Sequence, residues 1–360
     1  MRILISGGGT GGHIYPAIAI AVALQKRLPQ AQILFVGAEG KMEMEKVPKA
    51  GFQIIGLPIA GFNRSSLLSN LSFPSKLLRS LQKAREVVSD FRPDIAIGVG
   101  GYASGPTLFM ASLQGVPLVI QEQNSYAGVT NKLLSKRARK ICVAYPNMER
   151  FFPADRLIFT GNPVREDICT TLPSVTEARA HFGLDPAKKT LLVIGGSQGA
   201  RSINQCMQQI LSDLRAKDYQ IIWQTGSQFR SSIDQYKQPG VFISEFIYEM
   251  AFAYAAADVV VSRAGALSVS ELCIVQKPAI LVPFPNAAED HQTKNARSLS
   301  DHQAAWLVED NQLMRELLPA ITTLLEDPAQ CAMLSANMKS FAKPQAAADI
   351  AEQIIQLIPS

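Results

Sequence analysis

A chain of 360 residues is about twice the usual single-domain length, so two domains are the natural expectation. With 47% hydrophobic and 18% charged residues, it has apolar material for two cores and too little charge for disorder. No run approaches the roughly 18 consecutive apolar residues of a membrane span, and the start shows no signal-peptide pattern, so folding in the cytoplasm is expected.

Short apolar runs alternate with helical patterns through the first half. Strands are expected at Ile3–Ile5, Ile33–Val36, Ile54–Leu57, Ile95–Ile97, Leu118–Ile120 and Ile141–Val143. Helix periodicity fills Tyr15–Leu28, Lys76–Asp90 and Ser104–Gln114 between them. After Gly161–Asn162–Pro163 the pattern restarts, with strands at Leu191–Ile194, Ile221–Gln224, Val241–Ile243, Val259–Val261, Ile280–Val282 and Ala305–Val308. Strands alternating with helices mean parallel sheets covered on both faces. The fold class is therefore α/β, with two Rossmann-like domains facing across a cleft. The expected division is 1–163 and 164–343, with a final helix within 344–360 that can return to the first domain. Cys142, Cys169, Cys206, Cys273 and Cys331 are scattered, with no metal-ligand spacing, and read as buried free thiols.

Each half opens with strand, glycine loop and helix. Gly7-x-Gly9-x-x-Gly12 matches the dinucleotide fingerprint in its required context, where glycines let backbone N–H groups approach an anion at a helix N-terminus. Glu39, after the second strand, is the residue that would hold a ribose in a nicotinamide dehydrogenase. Two features weaken that reading: His13 directly follows the third glycine, and a second loop, Gly195–Gly199, opens the other half. A third helix start, Ser262–Glu271, can aim N–H groups near Gly265–Ser268 at a phosphate, with Glu271 one turn on, placed for a ribose. A nucleotide-sugar binding protein without catalysis would explain the loops and leave His13 without a task.

Several segments in order, Gly8–Gly12 with His13 and Pro16, Gln121–Asn124, Gly161–Arg165, Gly195–Ala200, Gly265–Glu271, Pro283–Pro285 and His291–Gln292, resemble the N-acetylglucosaminyltransferase family of peptidoglycan synthesis, which converts lipid I to lipid II. The resemblance covers roughly residues 7–296 and implies a GT-B fold, the donor UDP-N-acetylglucosamine and the acceptor undecaprenyl-diphospho-N-acetylmuramoyl-pentapeptide. It assigns donor contacts to Thr10, Gly11, Gly12, Asn124, Arg165, Ser197, Ile247, Ala266, Leu267, Ser268, Val269, Ser270, Glu271 and Gln292. Among these, the backbone at Ile247 would read the uracil edge, Glu271 the ribose, and Gln292 the sugar. Gly101, Tyr102 and Ser104 are expected on the acceptor side.

A β-1,4 product from an α-linked donor requires inversion by one displacement, with the acceptor C4 hydroxyl attacking. That hydroxyl needs a base near neutral pKa; His13 is the first choice, and Glu122 is the rival or the group that orients base or acceptor. No Asp-x-Asp triplet occurs, so helix N-termini and Arg165 are expected to meet the leaving diphosphate. No bound metal is expected to be essential; magnesium would at most stimulate.

The formal charge of +5 is mild, so the placement of basic residues matters more than their sum. Between Gly61 and Arg85 there is no acid, while Arg64, Lys76, Arg79, Lys83 and Arg85 interleave with Leu67, Leu68, Leu71, Phe73, Leu77, Leu78 and Leu81. A second cluster holds Lys132, Lys136, Arg137, Arg139 and Lys140. Cations ringing apolar side chains suit an anionic lipid surface; a solvated basic helix face is the plainer alternative. With the lipid-linked acceptor, this places the chain peripherally on the cytoplasmic face of the plasma (inner) membrane, beside other cell-wall synthesis proteins. No nucleic-acid module surrounds the clusters, and no nucleic-acid partner is expected.

Overall fold

The computed structural model describes residues 1–59, 73–196 and 198–358; Arg64, Leu67, Leu68, Leu71 and Ser197 lie outside them. The chain forms two compact units, Met1–Val164 with Pro344–Ser360, and Arg165–Lys343.

The first unit is a seven-stranded sheet ordered β3-β2-β1-β4-β5-β6-β7, from β1 (Arg2–Ser6), β2 (Gln32–Ala38), β3 (Gln53–Leu57), β4 (Ile95–Gly98), β5 (Leu118–Glu122), β6 (Lys140–Val143) and β7 (Leu157–Phe159). Every pairing is parallel. Its helices are α1 (Gly11–Arg27), α2 (Glu43–Lys49), α3 (Phe73–Phe91), α4 (Ser104–Leu113) and α5 (Val129–Leu134). Strands buried on both faces must be apolar on both, which is why they read as runs rather than alternations. Ile3 and Ile5 enter one core with Ile20, Leu24, Ile350 and Ile354, while Leu4 points into the other with Val88, Leu108 and Leu118. Each such fully buried aliphatic side chain contributes roughly 1.5–3 kcal/mol. The C-terminal helix Ala346–Ile355 packs on α1, and Arg27 pairs with Glu352.

The second unit repeats the plan with six parallel strands in the order β10-β9-β8-β11-β12-β13. They are β8 (Thr190–Ile194), β9 (Gln220–Gln224), β10 (Val241–Ser244), β11 (Val259–Arg263), β12 (Ala279–Val282) and β13 (Trp306–Leu307). The helices are α6 (Glu166–Cys169), α7 (Val175–His181), α8 (Arg201–Ala216), α9 (Met250–Ala256), α10 (Ala266–Val275), α11 (His291–Ser300), α12 (Leu313–Glu326) and α13 (Pro328–Met338). Both units are thus Rossmann-like, α/β in class, and in each the strand order reverses beside the first strand. Loops at the carboxyl ends of the strands there form the usual ligand position of such sheets.

Two elements differ from the sequence expectation. β7 is a three-residue edge strand with Phe159 half exposed, too short and too wet to leave an apolar run. α1 begins at Gly11 rather than Tyr15, so the last two loop glycines form its first turn. Cys142, Cys206 and Cys273 are buried, but Cys169 and Cys331 are only partly so. Burial pushes the Cys142 thiol up to about 12, which makes it inert.

Candidate active site

In the first unit, β1 and β4 are neighbours, so the loops that follow them touch. Gly8 and Gly9 take φ of 148° and 87°, where a side chain is strained. A Cβ on Gly8 would overlap the Glu43 carboxylate, and one on Gly101 would overlap the Gly8 carbonyl. Gly9 N–H donates to both oxygens of Glu43 at 3.0 Å, and Ala38 N–H donates to Oε1 at 3.0 Å. Glu43 is fully buried. A loop donor that a dinucleotide enzyme turns toward pyrophosphate is therefore spent on an internal carboxylate. Glu39 forms an exposed ion pair with Lys83 at 2.8 Å. These two contacts remove the structural basis for the dehydrogenase reading.

Thr10 stands at the N-cap of α1, exposed, and its Oγ1 lies 3.1 Å from His13 Nδ1. The half-buried His13 ring lies over Gly100: a Cβ there would stand 2.8 Å from Cδ2 and 3.0 Å from Nε2. Gly11 and Gly12 form the first turn behind Thr10. Tyr102 is half exposed and covers Gly9. Ser104 differs from its acceptor-side expectation in orientation. Its hydroxyl is buried, within hydrogen-bond distance of the carbonyls of Ser6 (2.7 Å) and Gly100 (2.9 Å), so it latches the two loops together.

Glu122 ends β5 and is also buried. Oε1 accepts from Asn124 N–H at 3.1 Å, while Oε2 accepts from Gly128 N–H at 3.0 Å and Asn131 Nδ2 at 2.9 Å. These bonds brace the loop that carries the partly exposed Asn124. Gln123 ties the same segment to the Val99 carbonyl at 2.8 Å.

In the second unit, Gly199 at φ 80° packs so closely on the Thr225 carbonyl that a Cβ would overlap it. Gln224 links three segments: Nε2 donates to the Gly196 carbonyl at 2.9 Å, and Oε1 accepts from Ile247 N–H at 3.0 Å. The Ile247 N–H is thus held within the protein.

α10 starts after Gly265, and its first intrahelical bond runs from Val269 N–H to the Gly265 carbonyl. The N–H groups of Ala266, Leu267 and Ser268 precede it, and no acid sits in that turn, so the helix end presents positive potential. Ser270 Oγ turns back to the Ala266 carbonyl at 3.0 Å, and Val269 is buried. Glu271, largely buried, accepts from Tyr254 Oη at 2.9 Å, with Arg165 Nε 3.6 Å from its other oxygen. Burial pushes the Glu271 carboxyl up, and Arg165 and the Tyr254 bond pull it back. Gln292, at the start of α11, accepts from Phe284 N–H at 2.9 Å.

Sequence reasoning passed over Glu43, Gln224 and Arg263. The Arg263 guanidinium is buried and donates to the carbonyls of Val282 (3.2 Å) and Pro283 (3.0 Å), to Asp310 at 2.5 Å and to Ser202 at 2.7 Å. It fixes the Pro283–Phe284 turn against which Gln292 rests. A charged residue closing an apolar strand was the available signal. Glu43 gave less, since an acid in the first turn of a helix usually complements the helix dipole. Among the described residues no group of three or more His, Cys, Asp or Glu could hold a metal ion.

Residues 3–143 match the N-terminal domain of glycosyltransferase family 28, and residues 190–354 match its C-terminal domain. This chain belongs to glycosyltransferase family 28. The family 28 chain is 54% identical to the UDP-N-acetylglucosamine--N-acetylmuramyl-(pentapeptide) pyrophosphoryl-undecaprenol N-acetylglucosamine transferase of Parabacteroides distasonis, over 99% of this chain and 98% of that one. It is 53% identical to the protein of the same name from Bacteroides fragilis, over 99% and 96%. The crystal structure of MurG from Acinetobacter baumannii superposes with a TM-score of 0.77 at 29% identity, covering 99% of both chains. The family 28 assignment therefore rests on both domains and on nearly the full length.

Proposed function

We infer that this chain transfers N-acetylglucosamine from UDP-N-acetylglucosamine to the C4 hydroxyl of undecaprenyl-diphospho-N-acetylmuramoyl-pentapeptide, inverting the donor linkage to form β-1,4-linked lipid II. The observation that carries this reading is identity above 50% along nearly the whole chain to transferases named for that reaction. The geometry supports a division of labour. The Gly7–Gly12 loop presents a histidine, whereas the α10 N-terminus with Arg165 and Glu271 offers cationic and hydrogen-bonding groups for a nucleoside diphosphate.

In this reading His13 Nε2 takes the proton of the attacking hydroxyl. Nδ1 must then carry the other proton and donate to Thr10 Oγ1, which sets the tautomer. Charge developing on the departing UDP is met by the N–H groups of Ala266–Ser268, by Ser197 and by Arg165. Glu271 accepts from the ribose hydroxyls, the Ile247 carbonyl accepts from the uracil edge while its N–H stays on Gln224, and Gln292 meets the sugar. Gly101 and Tyr102 flank the acceptor, and Glu122 acts as the brace of the Asn124 loop. Incubation with UDP-N-acetylglucosamine and a short-chain lipid I analogue should release UDP with formation of the disaccharide. No UDP release with that pair would overturn the reading.

The same reading places the chain on the inner face of the plasma membrane. α3 and α5 both pack on α4, and Leu78, Val129 and Leu133 are exposed beside Arg79, Lys136 and Arg137. This is the mixture of apolar and cationic groups that suits anionic headgroups. Lys140 contributes least, because its ammonium is held by Gln353 and Gln356 at 2.7 Å each. No helix among the described residues is long and apolar enough to cross a membrane.

A further inference from the structure

Burying a carboxylate without a neighbouring cation costs several kcal/mol unless hydrogen bonds replace its hydration. Glu43 is fully buried, and its oxygens accept hydrogen bonds from the backbone N–H groups of Gly9 and Ala38. Both oxygens act as acceptors, so two separate stretches of backbone are held by one side chain. The contact is also steric. Neither Gly8 nor Gly37 has room for a Cβ, because the Glu43 side chain fills that space. One side chain on α2 thereby pins the loop after β1 against the end of β2, across 34 residues of sequence to Gly9.

What lies immediately downstream gives this clamp a consequence. Gly9 leads directly to Thr10, whose carbonyl accepts from His13 N–H at 3.1 Å and Ile14 N–H at 3.2 Å to begin α1. The Thr10 hydroxyl meets His13 Nδ1 at 3.1 Å. On the other side of the clamp, the Gly8 carbonyl is the surface on which Gly101 packs.

We propose that Glu43 is a positioning residue for the transfer reaction: its buried carboxylate holds Gly9, and through Thr10 sets the orientation of His13. Resting on the function inferred above, it assigns Glu43 no contact with either substrate. A neutral isostere should therefore slow turnover by more than it weakens donor binding, which also has its contacts in the second unit. Glu43→Gln presents an amide N–H where Gly9 N–H or Ala38 N–H now finds an acceptor, so one of those bonds becomes a clash of donors.

The test is steady-state kinetics with UDP-N-acetylglucosamine and a short-chain lipid I analogue, run first on the unaltered protein. No turnover there counts against the inferred function itself, which separates that failure from failure of the present proposal. Given turnover, Glu43→Gln and Glu43→Asp should each lower kcat about 10- to 100-fold, with KM for UDP-N-acetylglucosamine rising by a much smaller factor. In a His13→Ala background, with enzyme raised to recover the signal, Glu43→Gln should cost less than about threefold, because both changes disable one device. The proposal is overturned if kcat stays within twofold, if the two losses multiply, or if donor KM rises in step with the fall in kcat. It is also overturned if both Glu43 variants lose cooperative unfolding, since Glu43 would then serve the unit's fold as a whole.

Discussion

Tyr254 Oη donates to Glu271 Oε2 at 2.9 Å from a fully buried ring, so the carboxyl proposed to hold the donor ribose is itself fixed from beneath. Burial raises the Glu271 pKa above 4.5, while Arg165 and Tyr254 work against that rise. The protonated carboxyl accepts hydrogen bonds less well, so KM for UDP-N-acetylglucosamine should climb as pH falls through the raised Glu271 pKa. Glu271→Gln should raise that KM about 10-fold or more and abolish the climb. Tyr254→Phe removes an interaction that lowers the pKa, and should move the climb to higher pH. Stability has the opposite sign: the native state binds the extra proton in this window, so the Glu271 contribution to stability falls as pH rises through it. Donor KM against pH and urea midpoints against pH read the two effects separately.

Loss of a general base costs about 10²–10⁴-fold, and that is the fall in kcat expected for His13→Ala at saturating substrates. Thr10→Val keeps the shape but removes the hydroxyl 3.1 Å from Nδ1. It should cost about fivefold in kcat, the worth of one ordinary hydrogen bond. Wild-type kcat in His13→Ala would remove His13 from the mechanism.

Arg263→Met would strip the buried partner from Asp310 and leave the Val282 and Pro283 carbonyls without their donor. Breaking a buried pair in this way costs about 3 kcal/mol. The urea midpoint should fall accordingly, and donor KM should rise as the turn supporting Gln292 loosens.

Two glycines at similar φ provide a controlled comparison. Gly40, at 70°, has nothing within 4 Å of a built Cβ, so Gly40→Ala should cost about 1–2 kcal/mol, the strain of left-handed backbone. Gly199→Ala adds overlap with the Thr225 carbonyl and should be clearly worse. Equal urea midpoints in the two variants would contradict the packing described at Gly199.

Leu133 is 75% exposed, and exchange for glutamate at such a position changes stability by less than about 0.5 kcal/mol. Leu133→Glu should nevertheless reduce flotation with vesicles containing anionic lipid. Lys136→Glu should reduce it further, at about 1 kcal/mol per cation near the surface. Flotation that ignores anionic lipid would argue for a merely solvated basic face.

Much of this protein follows from local sequence alone. The alternation of apolar runs with helical periods determines two parallel α/β sheets, because strands covered on both faces must be apolar on both. The glycines of the Gly7–Gly12 and Gly195–Gly199 loops were legible because backbone at positive φ and close approach exclude other residues. Glu271 was legible because its spacing from Gly265 along α10 is a helical property. Tertiary structure alone decided which partners the polar side chains meet. Glu43 reaches Gly9 across 34 residues, Gln224 reaches Ile247 across 23, and Lys140 is tied to Gln353 across 213. It also turned the Ser104 hydroxyl inward to Ser6 and committed Glu122 to its own loop. The reason is physical: hydrophobic period fixes which face of an element is buried, whereas a hydrogen bond requires two atoms within about 3 Å, and only the packed fold supplies that.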